Sequence, residues 1–117
     1  MHRNIANQVV HTDFNCLAVV QYAIEVLRVR QIIVCGNYGC GGISAALGHD
    51  EYGVVDNGLR HIKDISFAHK QELNGLSEQA EADRLCELNV ITQVQNLARN
   101  KAVQYDWDRG QTWDIHG

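Results

Sequence analysis

Gln31-Ile32-Ile33-Val34-Cys35-Gly36-Asn37-Tyr38-Gly39-Cys40-Gly41-Gly42 is the stretch on which the fold turns. Its opening is a short run rich in β-branched residues, which suits a strand over Gln31 to Cys35 buried on both faces of a parallel sheet. Gly36 ends the run, and four glycines fall in the seven residues from Gly36 to Gly42. Beyond them Ile43-Ser44-Ala45-Ala46-Leu47 starts a short helix. Strand, glycine loop and helix in that order form the junction at which open α/β sheets place ligands. Upstream, Leu17, Val20, Ala23, Ile24 and Leu27 recur at three- and four-residue steps, which predicts an amphipathic helix over Phe14 to Val29. His11-Thr12-Asp13 supplies the capping side chains at its start. Helix followed by buried strand is half of a βαβ unit, so the fold class is α/β.

The flanks fit that class. Met1 to Val10 reads as a strand end running into a loop, and the glycine-punctuated Gly48 to Gly58 as a surface loop. Leu59, Ile62, Ile65 and Phe67 mark a helix ending near Leu73, where Asn74-Gly75 stops it. Ser77 caps a long helix whose stripe of Leu85, Leu88, Ile91, Val94 and Ala98 faces the core, with Glu78 and Glu81 favourably placed in the first turn. Arg109-Gly110 reads as a turn and Gln111 to His116 as a closing strand. No linker or internal repeat interrupts the chain, so residues 1–117 are expected to form a single domain.

Composition narrows the function classes. Apolar residues make up 45% of the 117-residue chain, charged residues 21%, and proline is absent, a profile far from disorder. Ten Lys and Arg lie scattered among fourteen Asp and Glu, for a formal charge of −4, so no basic stripe is available to a phosphate backbone and no nucleic-acid partner is expected. No apolar run reaches the roughly 18 to 20 residues that span a bilayer, and no signal pattern opens the chain. The expectation is therefore no membrane and a cytoplasmic location. Cys16, Cys35, Cys40 and Cys86 are read as thiols, with Cys35 a small buried apolar residue of the strand.

The loop from Cys35 to Gly42, together with Arg3-Asn4-Ile5-Ala6-Asn7 and His11-Thr12-Asp13-Phe14-Asn15-Cys16-Leu17, resembles the β-class carbonic anhydrases. The likeness continues through Cys86-Glu87-Leu88-Asn89-Val90 and Arg109-Gly110-Gln111 to Ile115-His116-Gly117, and so covers nearly the whole chain. It implies an incomplete, mostly parallel β-carbonic-anhydrase-like sheet flanked by helices. In intact members zinc-bound hydroxide attacks carbon dioxide to give bicarbonate, a carbonate dehydratase (lyase) reaction.

The same resemblance bears on the site. The family holds zinc by a Cys from an early Cys-x-Asp-x-Arg motif and by a His and a second Cys spaced His-x-x-Cys in this loop. Cys40 matches the second Cys, Asn37 stands at the His position, and the early motif has no counterpart in the chain. A carboxamide is a poor zinc ligand beside imidazole. Zinc is therefore expected to be absent or weakly bound, and hydration lost or strongly impaired, as in a truncated member. His49, His61, His69 and His116 lack metal spacing to Cys40 and are read as surface or helix histidines. Gly36, Gly41 and Gly42 are the loop residues of the match. Arg3 and Tyr22 match an inhibitory bicarbonate pocket of one subgroup, and a guanidinium and a phenol can together bind a small oxyanion. The plainer account pairs Arg3 with a helix acid and packs Tyr22 in the core.

The first family strand, missing here, would lie in the middle of the sheet, and edges so exposed invite pairing or self-association. A homo-oligomer is expected. Two functional readings follow: carbon dioxide hydration, opposed by Asn37, and a non-catalytic oligomerisation or anion-binding module built on the same fold. A P-loop or dinucleotide binder is disfavoured because the loop is not Gly-x-Gly-x-x-Gly and has no P-loop lysine.

Overall fold

The computed structural model describes residues 1–110 and 114–117, with the side chains of all of these except residue 102. After a 3-10 turn over Ile5–Asn7, the elements run α1 (Phe14–Glu25), β1 (Gln31–Ile33), α2 (Gly41–Leu47), α3 (Val55–Ala68), α4 (Lys70–Leu73), α5 (Glu78–Ala98), α6 (Lys101–Asp108) and β2 (Asp114–His116).

Capping decides where the two main helices start. The Asp13 carboxylate accepts the amides of Asn15 and Cys16 at 3.0 and 3.3 Å, and the Ser77 hydroxyl accepts that of Ala80 at 3.3 Å. α1 ends at Glu25 and not at Val29. The amides of Val26 and Leu27 both turn onto the Tyr22 carbonyl, and Arg28 adopts a left-handed φ of 51° that aims the chain into β1. α3 begins at Val55, inside the stretch expected to be loop, and the helix expected to run on to Leu73 breaks at His69. α6 had no counterpart in the sequence reading. Its Val103 is nonetheless completely buried, and the Asn100 side chain accepts the Val103 amide at 3.4 Å.

β1 and β2 pair directly and in parallel, with Gln31 opposite Asp114, Ile32 opposite Ile115 and Ile33 opposite His116. Val34 N–H to His116 O at 2.8 Å and Asp114 N–H to Arg30 O at 2.9 Å extend the ladder. Among the described residues the sheet has these two strands alone. The expectation of a strand to Cys35 buried on both faces is corrected: β1 is three residues long and Ile33 is 64% exposed, because β2 covers one side only. Residues 111–113 of the expected closing strand lie outside the described residues; Asp114–His116 are extended.

The core lies in two parts. Ile43, Leu59, Ile62, Leu85 and Leu88 pack α2 and α3 onto α5, while Ile24, Val34, Leu97 and Val103 join α1, the end of β1, α5 and α6. Facing positions on α5 differ from the apolar stripe. The buried ridge runs Leu85, Asn89, Gln93, Leu97, one helical turn apart, and Ile91 is 47% exposed. Two of the four ridge residues are polar, and both are satisfied. Asn89 Nδ2–H donates to Ala6 O at 2.8 Å, Gln93 Nε2–H donates to Asn89 Oδ1 at 2.8 Å, and Gln93 Oε1 accepts Val9 N–H at 2.7 Å. Asn96 Nδ2–H completes the row on Val9 O at 3.2 Å. Backbone groups expected to sit at a strand end are thus paired to helix side chains, and residues 1–10 hold a 3-10 turn in place of a strand.

Candidate functional site: the loop after β1

Close packing makes two of the loop glycines necessary. A Cβ at Gly36 would fall 2.6 Å from Val90 Cγ2 of α5, and one at Gly42 would fall 2.9 Å from Ile5 Cγ2. Gly41, the first residue of α2, faces open space. The loop is thereby pressed between the N-terminal turn and α5. Asn7 Nδ2–H fastens its start, donating to Cys35 O at 2.7 Å.

Cys35 is exposed, which corrects the buried apolar role expected for it: the strand ends two residues earlier and leaves its side chain outside the core. Asn37 is exposed, and its Nδ2–H donates to the Tyr38 carbonyl at 3.2 Å. Cys40 is half-buried at the N-cap of α2, where its carbonyl accepts the Ser44 amide at 3.1 Å.

Cys86, which sequence reasoning passed over, is drawn into this loop. Only 6% exposed, it donates its S–H to Asn37 O at 3.2 Å. Burial, then the neighbouring Cys40, pushes its thiol pKa up. Its position on the inward face of α5, next to Leu85, was the available signal.

On the outer rim Tyr38 Oη–H donates to Glu87 at 2.7 Å, Arg84 donates to Glu87 at 2.8 Å, and Arg84 also pairs with Glu72. The Arg84 and Tyr38 hydrogen bonds hold the Glu87 carboxyl below its usual range, and the bond to Glu87 raises the Tyr38 phenol. Between this rim and β1 opens a groove of about 800 Å3, lined by Ile33, Asn37, Cys86, Val90 and Gly117 among others.

The remaining candidates lie apart from the loop. Arg3 is exposed and its Nε–H donates to Met1 Sδ at 3.3 Å. Tyr22 is 56% exposed on α1, not packed in the core. His49, His61 and His116 are exposed, and His69 Nδ1 lies 3.1 Å from Ile65 O. Among the described residues no group of three or more His, Cys, Asp or Glu could hold a metal. Two thiols, Cys40 and Cys86, beside a carboxamide that already bonds its own loop fall short of a zinc donor set, which takes three or four thiolate, imidazole or carboxylate ligands. The residues present therefore do not fit the metal.

The chain matches the carbonic anhydrase family over residues 1–117. It is 37% identical over 118 positions to a carbonic anhydrase of Emericella nidulans, covering 100% of this chain and 52% of that protein. Against a carbonic anhydrase of Pseudomonas aeruginosa it is 33% identical over 106 positions, covering 86% and 46%. Among solved structures it is similar to the Coccomyxa β-carbonic anhydrase in complex with acetazolamide, with a TM-score of 0.96 at 34% identity, covering 99% of this chain and 53% of that one. A TM-score of 0.91 at 36% identity, over 99% and 59% of the chains, relates it to the tetrameric β-carbonic anhydrases of Sordaria macrospora. The chain spans about half the length of the curated relatives it matches. Sequence and fold agree along the whole of its length: the chain belongs to the β-carbonic anhydrase family, whose members depend on zinc.

Proposed function

We propose that this chain retains the β-carbonic anhydrase fold as a single domain but by itself does not carry out efficient carbon dioxide hydration. The observation that carries the reading is Asn37, which stands at the family's ligand position with its amide turned to the Tyr38 carbonyl. Cys40 is the one family ligand recognisable in the chain, and a single thiolate holds zinc weakly or not at all. Carbon dioxide and bicarbonate are the substrate class of the family, and in this chain they are ligands only of a residual kind. The test is zinc content in protein purified without added metal, followed on the same sample by stopped-flow hydration of carbon dioxide. Stoichiometric zinc with hydration above buffer overturns the reading; no zinc and no hydration sustain it.

A second reading, a homo-oligomeric assembly module, draws support from one surface. Phe14 and Tyr22 on α1 and Val26 at its C-cap leave apolar surface open, being 82%, 56% and 59% exposed. Self-association is a common way to cover such a face. Sedimentation velocity over a hundredfold concentration range decides it, since a monomer throughout leaves this reading without support. Arg3 and Tyr22 are offered as a weak oxyanion site of the same module, to be checked by bicarbonate titration of the Tyr22 resonances. A cytoplasmic location belongs to the same proposal. No helix among the described residues is long and apolar enough to cross a membrane.

A further inference from the structure

We propose that Cys40 and Cys86 form a reversible intramolecular disulfide, closed by a peroxide and reopened by a thiol reductant, that fastens the glycine loop to α5. The two residues are remote in sequence and meet in the fold. Cys86 Sγ lies 3.2 Å from the Asn37 carbonyl oxygen. Cys40, three residues further along the same loop, is near enough for its thiol to raise the pKa of Cys86 beyond the effect of burial. The Cys86 sulfur therefore sits against the loop that carries Cys40. Asn37 and Cys40 belong to one loop, so the disulfide asks for side-chain rotation and a shift of that loop against α5 until the two Cβ atoms reach disulfide spacing. Cys40 also packs against the apolar cluster to which Cys86 belongs.

Exposure assigns the roles. Cys40 is half-buried at the loop rim and Cys86 is buried behind it, and all four cysteines are free thiols. In the first step the Cys40 sulfur attacks one peroxide oxygen. The O–O bond breaks, and the departing hydroxide takes up the thiol proton as water, leaving a sulfenic acid. In the second, Cys86 sulfur attacks Cys40 sulfur, the S–O bond breaks, and the hydroxide leaves with the Cys86 proton as a second water. Two thiols lose two electrons in all, and one peroxide becomes two waters. Cys35 and Cys16 have no part in this: Cys35 is exposed beyond the strand end, and Cys16 is buried on α1. The proposal does not depend on catalysis, though an oxidised Cys40 is withdrawn from any metal.

The test is treatment of the whole chain with hydrogen peroxide, alkylation of remaining thiols, digestion without reduction, and mass spectrometry. The expected product is a Cys40–Cys86 cross-linked peptide pair, lighter by about 2 Da than the two reduced peptides together and separated again by dithiothreitol. Cys86→Ala is expected to leave a Cys40 sulfenic acid that dimedone captures. Because Cys86 is a core residue, Cys40→Ser gives a second check that does not depend on that variant folding: Cys86 should then emerge from peroxide still alkylatable after denaturation. A cross-link through Cys35, a disulfide between chains, or Cys40 oxidised to sulfinic acid beside an intact Cys86 thiol overturns the proposal.

Discussion

Gln93 of α5 accepts the Val9 amide at 2.7 Å and donates at 2.8 Å to Asn89, so a helix side chain serves a backbone group that a neighbouring strand would otherwise serve. Gln93→Leu keeps the volume and removes both bonds together with the one that Gln93 Oε1 accepts from Asn96 Nδ2–H at 3.2 Å, leaving the Val9 amide without its acceptor. The expected loss is about 1–3 kcal/mol in urea unfolding. Amide exchange at Val9 should accelerate together with that loss. An unchanged midpoint would mean that this bond adds nothing to stability.

Gly36 and Gly41 are both loop glycines, yet their substitutions should behave oppositely. Gly36→Ala drives a methyl to 2.6 Å from Val90 Cγ2 and is expected to cost about 1–3 kcal/mol, with partial recovery in a Gly36→Ala, Val90→Ala double variant. Gly41→Ala, at the open start of α2, should be neutral or stabilising by up to about 1 kcal/mol. Thermal melts of the four proteins test the contrast, and equal effects at the two glycines would refute it.

The Glu87 carboxyl is held below its ordinary 4.5 in the folded chain by Arg84 and then Tyr38. A depressed folded pKa contributes stability that is present above the unfolded pKa and is lost as pH falls through the folded one. The stability gap between the parent and Glu87→Gln should therefore be open at neutral pH and close on acidification below the usual carboxylate range. Tyr38, raised by the same bond, has the reverse sign: its contribution is present below pH 10 and is lost as pH rises through the raised value. Denaturation midpoints across the acid and alkaline limbs separate the two. A gap that stays constant with pH at both ends contradicts the account.

Asn37→His places an imidazole three residues before Cys40. The variant is expected to bind zinc at least about tenfold more tightly than the parent, by competition with a chelator, because an imidazole replaces a carboxamide. Carbon dioxide hydration should stay at the buffer rate, since two protein ligands do not complete the site. Hydration well above buffer in this variant would show that the chain supplies a further ligand.

The α/β class, the capped starts of α1 and α5, and the strand-loop-helix junction were legible because each rests on local chemistry: Asp13 and Ser77 cap, a glycine-rich loop follows a β-branched run, and apolar side chains repeat. The α5 face was misjudged at Ile91 because the true ridge carries Asn89 and Gln93, whose polarity hides their burial until the Val9 and Ala6 backbone groups are brought beside them. α6 escaped notice because Val103 finds its partners only in the assembled fold. At the site, Asn37 and Cys40 were singled out by the resemblance of their loop to the family's, while the contact of Cys86 with that loop, nearly fifty residues away, emerges only from packing.

Val90 closes the space beside a glycine that follows each strand, Gly36 after β1 and Gly117 after β2, through different methyl groups. Cγ2 limits the space at Gly36, and Cγ1, with Val94, limits it at Gly117. Stereospecific carbon-13 labelling of this one side chain would therefore give two resonances with separate reporting duties, one for the glycine loop and one for the far strand. Whether the two strand ends move as a unit or independently could then be read by relaxation from a single residue.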